Sequence, residues 1–128
     1  MRMILDTHVF IWLDNAPERV SGRARQVFAD PENEVLLSVI SIWEMQIKLS
    51  LGKLKLRQSL ASMIQEQLGG NSIQLLPLKI DHILQLEQLP PHHHDPFDRV
   101  LITQAQIEEA VLLTDDRVIQ RYPVNTHW

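Results

Sequence analysis

Four acidic residues end or interrupt apolar segments of this chain: Asp6 after MIL, Glu44 within SIWEMQI, Asp98 in DPFD and Asp116 after VLLTD. Folding around one core would bring several of them to a common edge. Carboxylates crowded in a low-dielectric crevice repel one another, and either proton uptake or a hard divalent cation relieves them; Mg²⁺ or Mn²⁺ favours an all-oxygen site. The chemistry implied is metal-assisted attack at a phosphodiester.

Each carboxylate also has a local explanation. Asp6 is costly if buried unpaired, so it needs a partner or a metal, yet it also suits the N-cap of a helix starting in THVFIW. Thr7 reads first as a turn residue and second as a hydroxyl supporting the site. Glu44 lies on the apolar side of its helix, between Ile40 and Ile47, but Ser41 and Glu44 fit the S-x-x-E capping box, which local pattern slightly favours. In DPFD, Asp95 reads as an N-cap with Pro96 in the first turn, where both Asp95 and Asp98 would complement the helix dipole. Asp98, one turn in, is equally suited to a metal. Asp115 and Asp116 are adjacent like charges, so one enters the site and the other faces solvent. Thr114 is placed to order a metal-bound water or a phosphate, or to act as a strand-end cap.

The elements that would position these residues follow from hydrophobic period. Met3–Leu5, Val35–Leu37, Ile73–Leu76 and Val111–Leu113 are short buried-strand segments, with a terminal strand near Val124. Between them run helices over His8–Leu13, from Ser21 through Val27 and Phe28, from Ile40 to Leu51 with Gly52 as the stop, and over Leu60–Leu68. Further helices run from Ile80 to Leu89, ended by Pro90 and Pro91, after DPFD through Ile107, and briefly through Val118 and Ile119. Strands alternating with amphipathic helices predict a single α/β domain, a parallel sheet covered on both faces, with its site at the carboxyl ends of the strands.

Composition narrows the function. The 128 residues and 45% hydrophobic content suit one domain with a sizeable core. With no cysteine there is neither a disulfide nor a thiolate ligand. The apolar start is broken by Asp6 and His8 too soon for a signal peptide or a membrane span, so a soluble cytoplasmic protein is expected. A net charge of -4 weighs against a module that holds nucleic acid by bulk positive charge. It leaves room for a nuclease, whose carboxylates add negative charge and whose cation attracts phosphate locally. Lys48, Lys53, Lys55 and Arg57, with Arg99, Arg117 and Arg121, form either a solvated face or a phosphate track. His92, His93 and His94 do not suggest zinc, because consecutive side chains diverge. Trp12, Trp43 and Trp128 read as core or interface aromatics before base-stacking platforms.

Taken together, LDTHVFIW, SVISIWEMQIKLSLGKLKL, LPPHHHDPFDRVLITQA and LLTDDRVIQRY resemble, in order and over the whole length, the motifs of the PIN domain family, specifically its VapC-like ribonuclease toxins. The resemblance implies a three-layer α/β/α sandwich with a central parallel sheet. It also implies an acidic site of Asp6, Glu44, Asp98 and Asp116 holding Mg²⁺ or Mn²⁺, with Thr114 as an accessory hydroxyl, an RNA substrate, a small cognate antitoxin and a homodimer. Asp115 and His94 depart from the family pattern, which keeps Asp115 in reserve beside Asp116. The competing readings are a non-catalytic RNA- or protein-binding module and an aspartate-based phosphotransfer domain. The latter lacks its usual late lysine, since none follows Lys79.

Overall fold

In the strands, residues buried on opposite faces alternate. Met3 and Leu5, Val35 and Leu37, and Leu113 pack into one cluster, while Ile4, Leu36 and Leu112 pack into another. A strand buried on both sides has no polar face, which is why these segments read as unbroken apolar runs. The computed structural model describes residues 1–70 and 72–128. It forms a five-stranded, wholly parallel sheet from β1 (Arg2–Leu5), β2 (Glu34–Ser38), β3 (Gln74–Leu76), β4 (Val111–Leu113) and β5 (Thr126–His127), in the order β3-β2-β1-β4-β5.

The helices are α1 (Thr7–Asn15), α2 (Gly22–Ala29), α3 (Val39–Ser50), α4 (Leu60–Gly70), α5 (Ile80–Leu84) and α6 (Pro96–Ile107). Helices α1 to α4 contribute Val9, Phe10, Ala24, Met45 and Met63 to the first cluster; α6 contributes Leu101, Ile102 and Ala105 to the second. The result is the expected three-layer α/β/α sandwich. The chain leaves β1 toward β2 and β3, then returns on the other side of β1 to form β4 and β5. The switch point therefore lies at the carboxyl ends of β1 and β4, where such sheets place their ligands.

Three local expectations are corrected. The helix expected over Ile80–Leu89 divides into α5 and a 3₁₀ turn at Gln85–Gln88, because Pro90 and Pro91 hold Leu89 extended and the last turn tightens before them. The terminal strand expected near Val124 begins two residues on, at Thr126–His127, because the Val124 N–H is bonded to the Tyr122 carbonyl. Finally, α3 starts at Val39. Its cap is Ser38, whose Oγ accepts from the Ile40 N–H at 3.1 Å, so Ser41 and Glu44 lie inside the helix and form no capping box. Gly52 does stop α3, with φ at +69°.

Polar side chains lock α6 to the sheet. Gln104 on α6 accepts from Ser38 Oγ at 2.5 Å, and buried His82 on α5 pairs with Glu108 at 2.9 Å. Glu108 also receives Arg2 of β1, at 3.4 Å. Leu5 sits at the centre of this framework, fully buried on the strand that ends in Asp6. Leu5→Ala should cost about 2–5 kcal/mol of stability, read as a lowered urea midpoint at unchanged slope; a loss within about 0.5 kcal/mol would mean the first cluster is not the stabilising core.

Candidate metal centre

Asp6 immediately follows β1, and its N–H bonds to the Leu113 carbonyl of neighbouring β4 at 3.1 Å. It holds the N-cap position of α1, but its side chain makes no capping bond. At 1% exposure, its Oδ2 accepts from Thr114 Oγ1 at 2.5 Å, whereas Oδ1 is buried without a partner. Burial, chiefly, raises its pKa above the ordinary carboxylate value, opposed by His8 and the Thr114 hydroxyl and assisted by the charge of Asp116.

Thr114 joins two of the predicted residues. Its hydroxyl donates to Asp6 and accepts from the Asp116 N–H at 3.0 Å. Asp116 turns toward the cluster, while Asp115 is directed to His8 Nε2 at 2.7 Å on the rim. Thr7 is not a turn residue; it begins α1 and donates to Ser41 Oγ at 2.8 Å, tying α1 to α3.

Glu44 is brought in by the second turn of α3. Its Oε2 receives Lys48 Nζ, one turn on, at 2.6 Å, and its Oε1 is buried with no partner. For Lys48, burial works against the charge, but the bond to Glu44 and the charges of Glu44, Asp95 and Asp98 raise its pKa on balance. From the other side, α6 supplies Asp98. Asp95 is the cap expected of it, accepting from the N–H groups of Phe97 at 2.9 Å and Asp98 at 3.3 Å.

One residue of the histidine run joins them. His93 Nε2 lies 2.9 Å from Asp98 and 3.2 Å from Asp116, and the three side chains offer ligand atoms within 4.8 Å of one another. The Asp95 N–H donates to His93 Nδ1 at 3.1 Å, so a neutral ring carries its proton on Nε2, facing both carboxylates. Arg99 fixes the loop from behind, bonding to the Pro90 carbonyl at 3.1 Å and the Tyr122 hydroxyl at 3.3 Å. His92 packs against Tyr122, and His94 is exposed. Sequence reasoning passed over His93 because the run as a whole cannot chelate. Its position two residues before an N-cap is the signal that the middle ring turns inward.

Asp6, Glu44, Asp98 and Asp116 are thus drawn together, and the cluster drives its members apart. Asp98 is pushed up to about 8, first by burial and then by the charges of Asp6, Asp95, Glu44 and Asp116. In Asp116 burial acts upward too, but bonds from His93 and from the Val118 and Ile119 N–H groups hold it below the ordinary value. The buried oxygens of Asp6 and Glu44, without a hydrogen-bond partner among the described residues, in a cluster of carboxylates, fit a hard divalent cation.

A parallel sheet with its carboxylates gathered at the switch point defines an α/β/α domain with an acidic cluster. The family model for the PIN domain matches residues 3–125, and the chain belongs to that family. Its fold is also that of VapBC2 from Rickettsia felis, solved bound to a DNA fragment from its promoter, with a TM-score of 0.76 at 17% identity over 99% of this chain and 98% of that one. VapBC-1 from nontypeable Haemophilus influenzae superimposes with a TM-score of 0.62 at 20% identity, over 99% and 97% of the two chains. VapBC-5 from Mycobacterium tuberculosis, of the VapBC family of toxin-antitoxin systems, gives 0.58 at 15%, over 94% and 89%. No curated protein sequence matches the chain.

The raised Asp98 has a consequence for stability. Its ordinary value is 3.8 and its folded value about 8, so between these the native state binds more protons than the unfolded one. The stabilisation is full below pH 3.8 and is lost as pH rises through about 8. In EDTA, thermal unfolding of the wild type should therefore move to lower temperature from pH 5 to pH 8 more steeply than that of Asp98→Asn; parallel pH profiles would exclude this coupling.

Proposed function

We propose that this chain is a Mg²⁺- or Mn²⁺-dependent endoribonuclease, the toxin of a toxin-antitoxin pair, with Asp6, Glu44, Asp98 and Asp116 as its metal-binding and catalytic carboxylates. The observation that carries this reading is that two of the three buried carboxylate oxygens without a hydrogen-bond partner among the described residues, Asp6 Oδ1 and Glu44 Oε1 but not Asp14 Oδ2, belong to one cluster, which keeps Asp98 protonated to about pH 8. Buried acceptors left unmet cost about 1–3 kcal/mol each, more when charged, and a divalent cation removes that cost. PIN membership and the likeness to VapBC structures support the toxin role and the antitoxin partner. No helix among the described residues is long and apolar enough to cross a membrane.

Bound at these carboxylates, the cation would polarise the phosphate, lower the pKa of an attacking water and neutralise the leaving oxygen. The chain's own residues prepare the site. Thr114 holds Asp6 Oδ2 so that Oδ1 is left to coordinate. Lys48 occupies one oxygen of Glu44 and leaves the other. Asp98 would release its proton to solvent for a cation to bind, and the His93 Nε2–H, between Asp98 and Asp116, is placed to donate to both carboxylates. Asp115, turned to His8 on the rim, serves as an accessory charge. The antitoxin would act by masking the crevice or inserting a basic side chain against these carboxylates, and a homodimer is part of the proposal.

Purified protein should cleave structured RNA with Mn²⁺, and Asp6→Asn or Asp98→Asn should each lower the rate by about a hundredfold or more. Cleavage that survives both substitutions, or excess EDTA, would defeat the proposal; RNA binding without cleavage by the wild type would favour a non-catalytic module. Thr114→Val should weaken Mn²⁺ binding by about 10- to 100-fold in calorimetry. Because Asp98 must lose its proton, wild-type Mn²⁺ affinity should also rise from pH 6 to pH 8, and a pH-independent affinity would remove Asp98 from the ligand set.

A further inference from the structure

Trp43 is large and apolar, yet 58% exposed. It directly precedes Glu44 on α3, as Phe97 directly precedes Asp98 on α6. The two rings meet edge to face, with centroids 5.3 Å apart at 79°. Each acidic helix therefore carries an aromatic one residue before its carboxylate, and the two aromatics join α3 to α6. Phe97 restrains the indole plane, so a flat ligand stacking on it meets a surface already oriented. Lys48, on the same helix, adds a cation beside a site otherwise lined with acid.

We infer that Trp43, braced by Phe97, is a stacking platform for an unpaired nucleobase flanking the phosphate to be cut. This rests on the ribonuclease reading and deepens it by naming a substrate class. Successive side chains of a helix point about 100° apart, so the indole flanks the carboxylates and is placed for a base beside a phosphate held at Glu44 and Asp98. Stacking needs an exposed π-face, which loops and bulges of RNA offer and paired stems do not. A peptide would need a continuous apolar seat, but the next exposed apolar residue along this side of α3 is Leu51, two turns or about 12 Å away, with the half-buried Ile47 between.

The test is fluorescence anisotropy with a labelled RNA hairpin, Ca²⁺ replacing Mg²⁺, on the full chain and its Trp43→Phe, Trp43→Leu and Trp43→Ala variants, each checked for unchanged thermal unfolding. One stacked base is expected to be worth about a tenfold to hundredfold change in affinity. Trp43→Ala and Trp43→Leu should lose it and Trp43→Phe should keep most of it, while a blunt RNA duplex should bind equally to all four. Leucine retains apolar bulk without a π-face, so a Trp43→Leu protein that binds the hairpin like wild type overturns the inference. So does a wild type that does not bind the hairpin. Loss of self-association in these variants, measured by sedimentation and with RNA affinity unchanged, also overturns it and assigns the indole to a protein interface. Binding that depends on Trp43 in a protein that cuts no RNA with Mn²⁺ would leave the platform standing and remove the ribonuclease reading instead.

Discussion

Like charges forced together in a poorly solvated crevice are the constraint around which this molecule is arranged. Asp6, Glu44, Asp98 and Asp116 come from four elements, and their repulsion opposes the packing that brings those elements together. The protein offsets that repulsion by several routes: a hydroxyl on Asp6, an ammonium on Glu44, an imidazole between Asp98 and Asp116, and a proton retained by Asp98. These arrangements leave one oxygen each of Asp6 and Glu44 unsatisfied. The cluster thus costs stability, as expected where a fold carries strain at a functional site.

The sheet topology makes the convergence possible. With β1 central, β2 on one side and β4 on the other, every connection that leaves a strand end passes over the same edge. Asp6 and Asp116 arrive there directly from neighbouring strands, whereas Glu44 and Asp98 arrive on helices. The polar bonds from Ser38 to Gln104 and from His82 to Glu108 lie behind those helices. They fix α6, and with it Asp98, against the strand end from which α3 begins.

Much of this was legible in the chain. Strand positions follow from apolar runs because both sheet faces are covered, and Asp6, Asp98 and Asp116 stand out because each marks a boundary of such a run. Glu44 was recognisable as a misplaced charge, but the capping box read from Ser41 has a rival in Ser38, three residues earlier, that local sequence did not single out. Pairing of Ser38 with Leu76 at the end of β2 decides between them, and that is a long-range fact. His93 is a half-legible case: its place two residues before the Asp95 cap marks the middle ring, while the hold of Arg99 and Tyr122 on its loop is long-range. The Lys48–Glu44 bond has helical spacing and was open to inspection; the Thr7–Ser41 and His82–Glu108 bonds, which span 34 and 26 residues, were not.

The bond between Thr114 and Asp6 spans 108 positions of the chain. On a ribosome, which releases the chain from its amino side, Asp6 emerges well before the strand that leads to its hydroxyl partner. Asp116 follows two residues later still. The acidic cluster consequently has no existence in a nascent chain that has not yet passed Asp116, however much of the α1–α4 layer has already condensed.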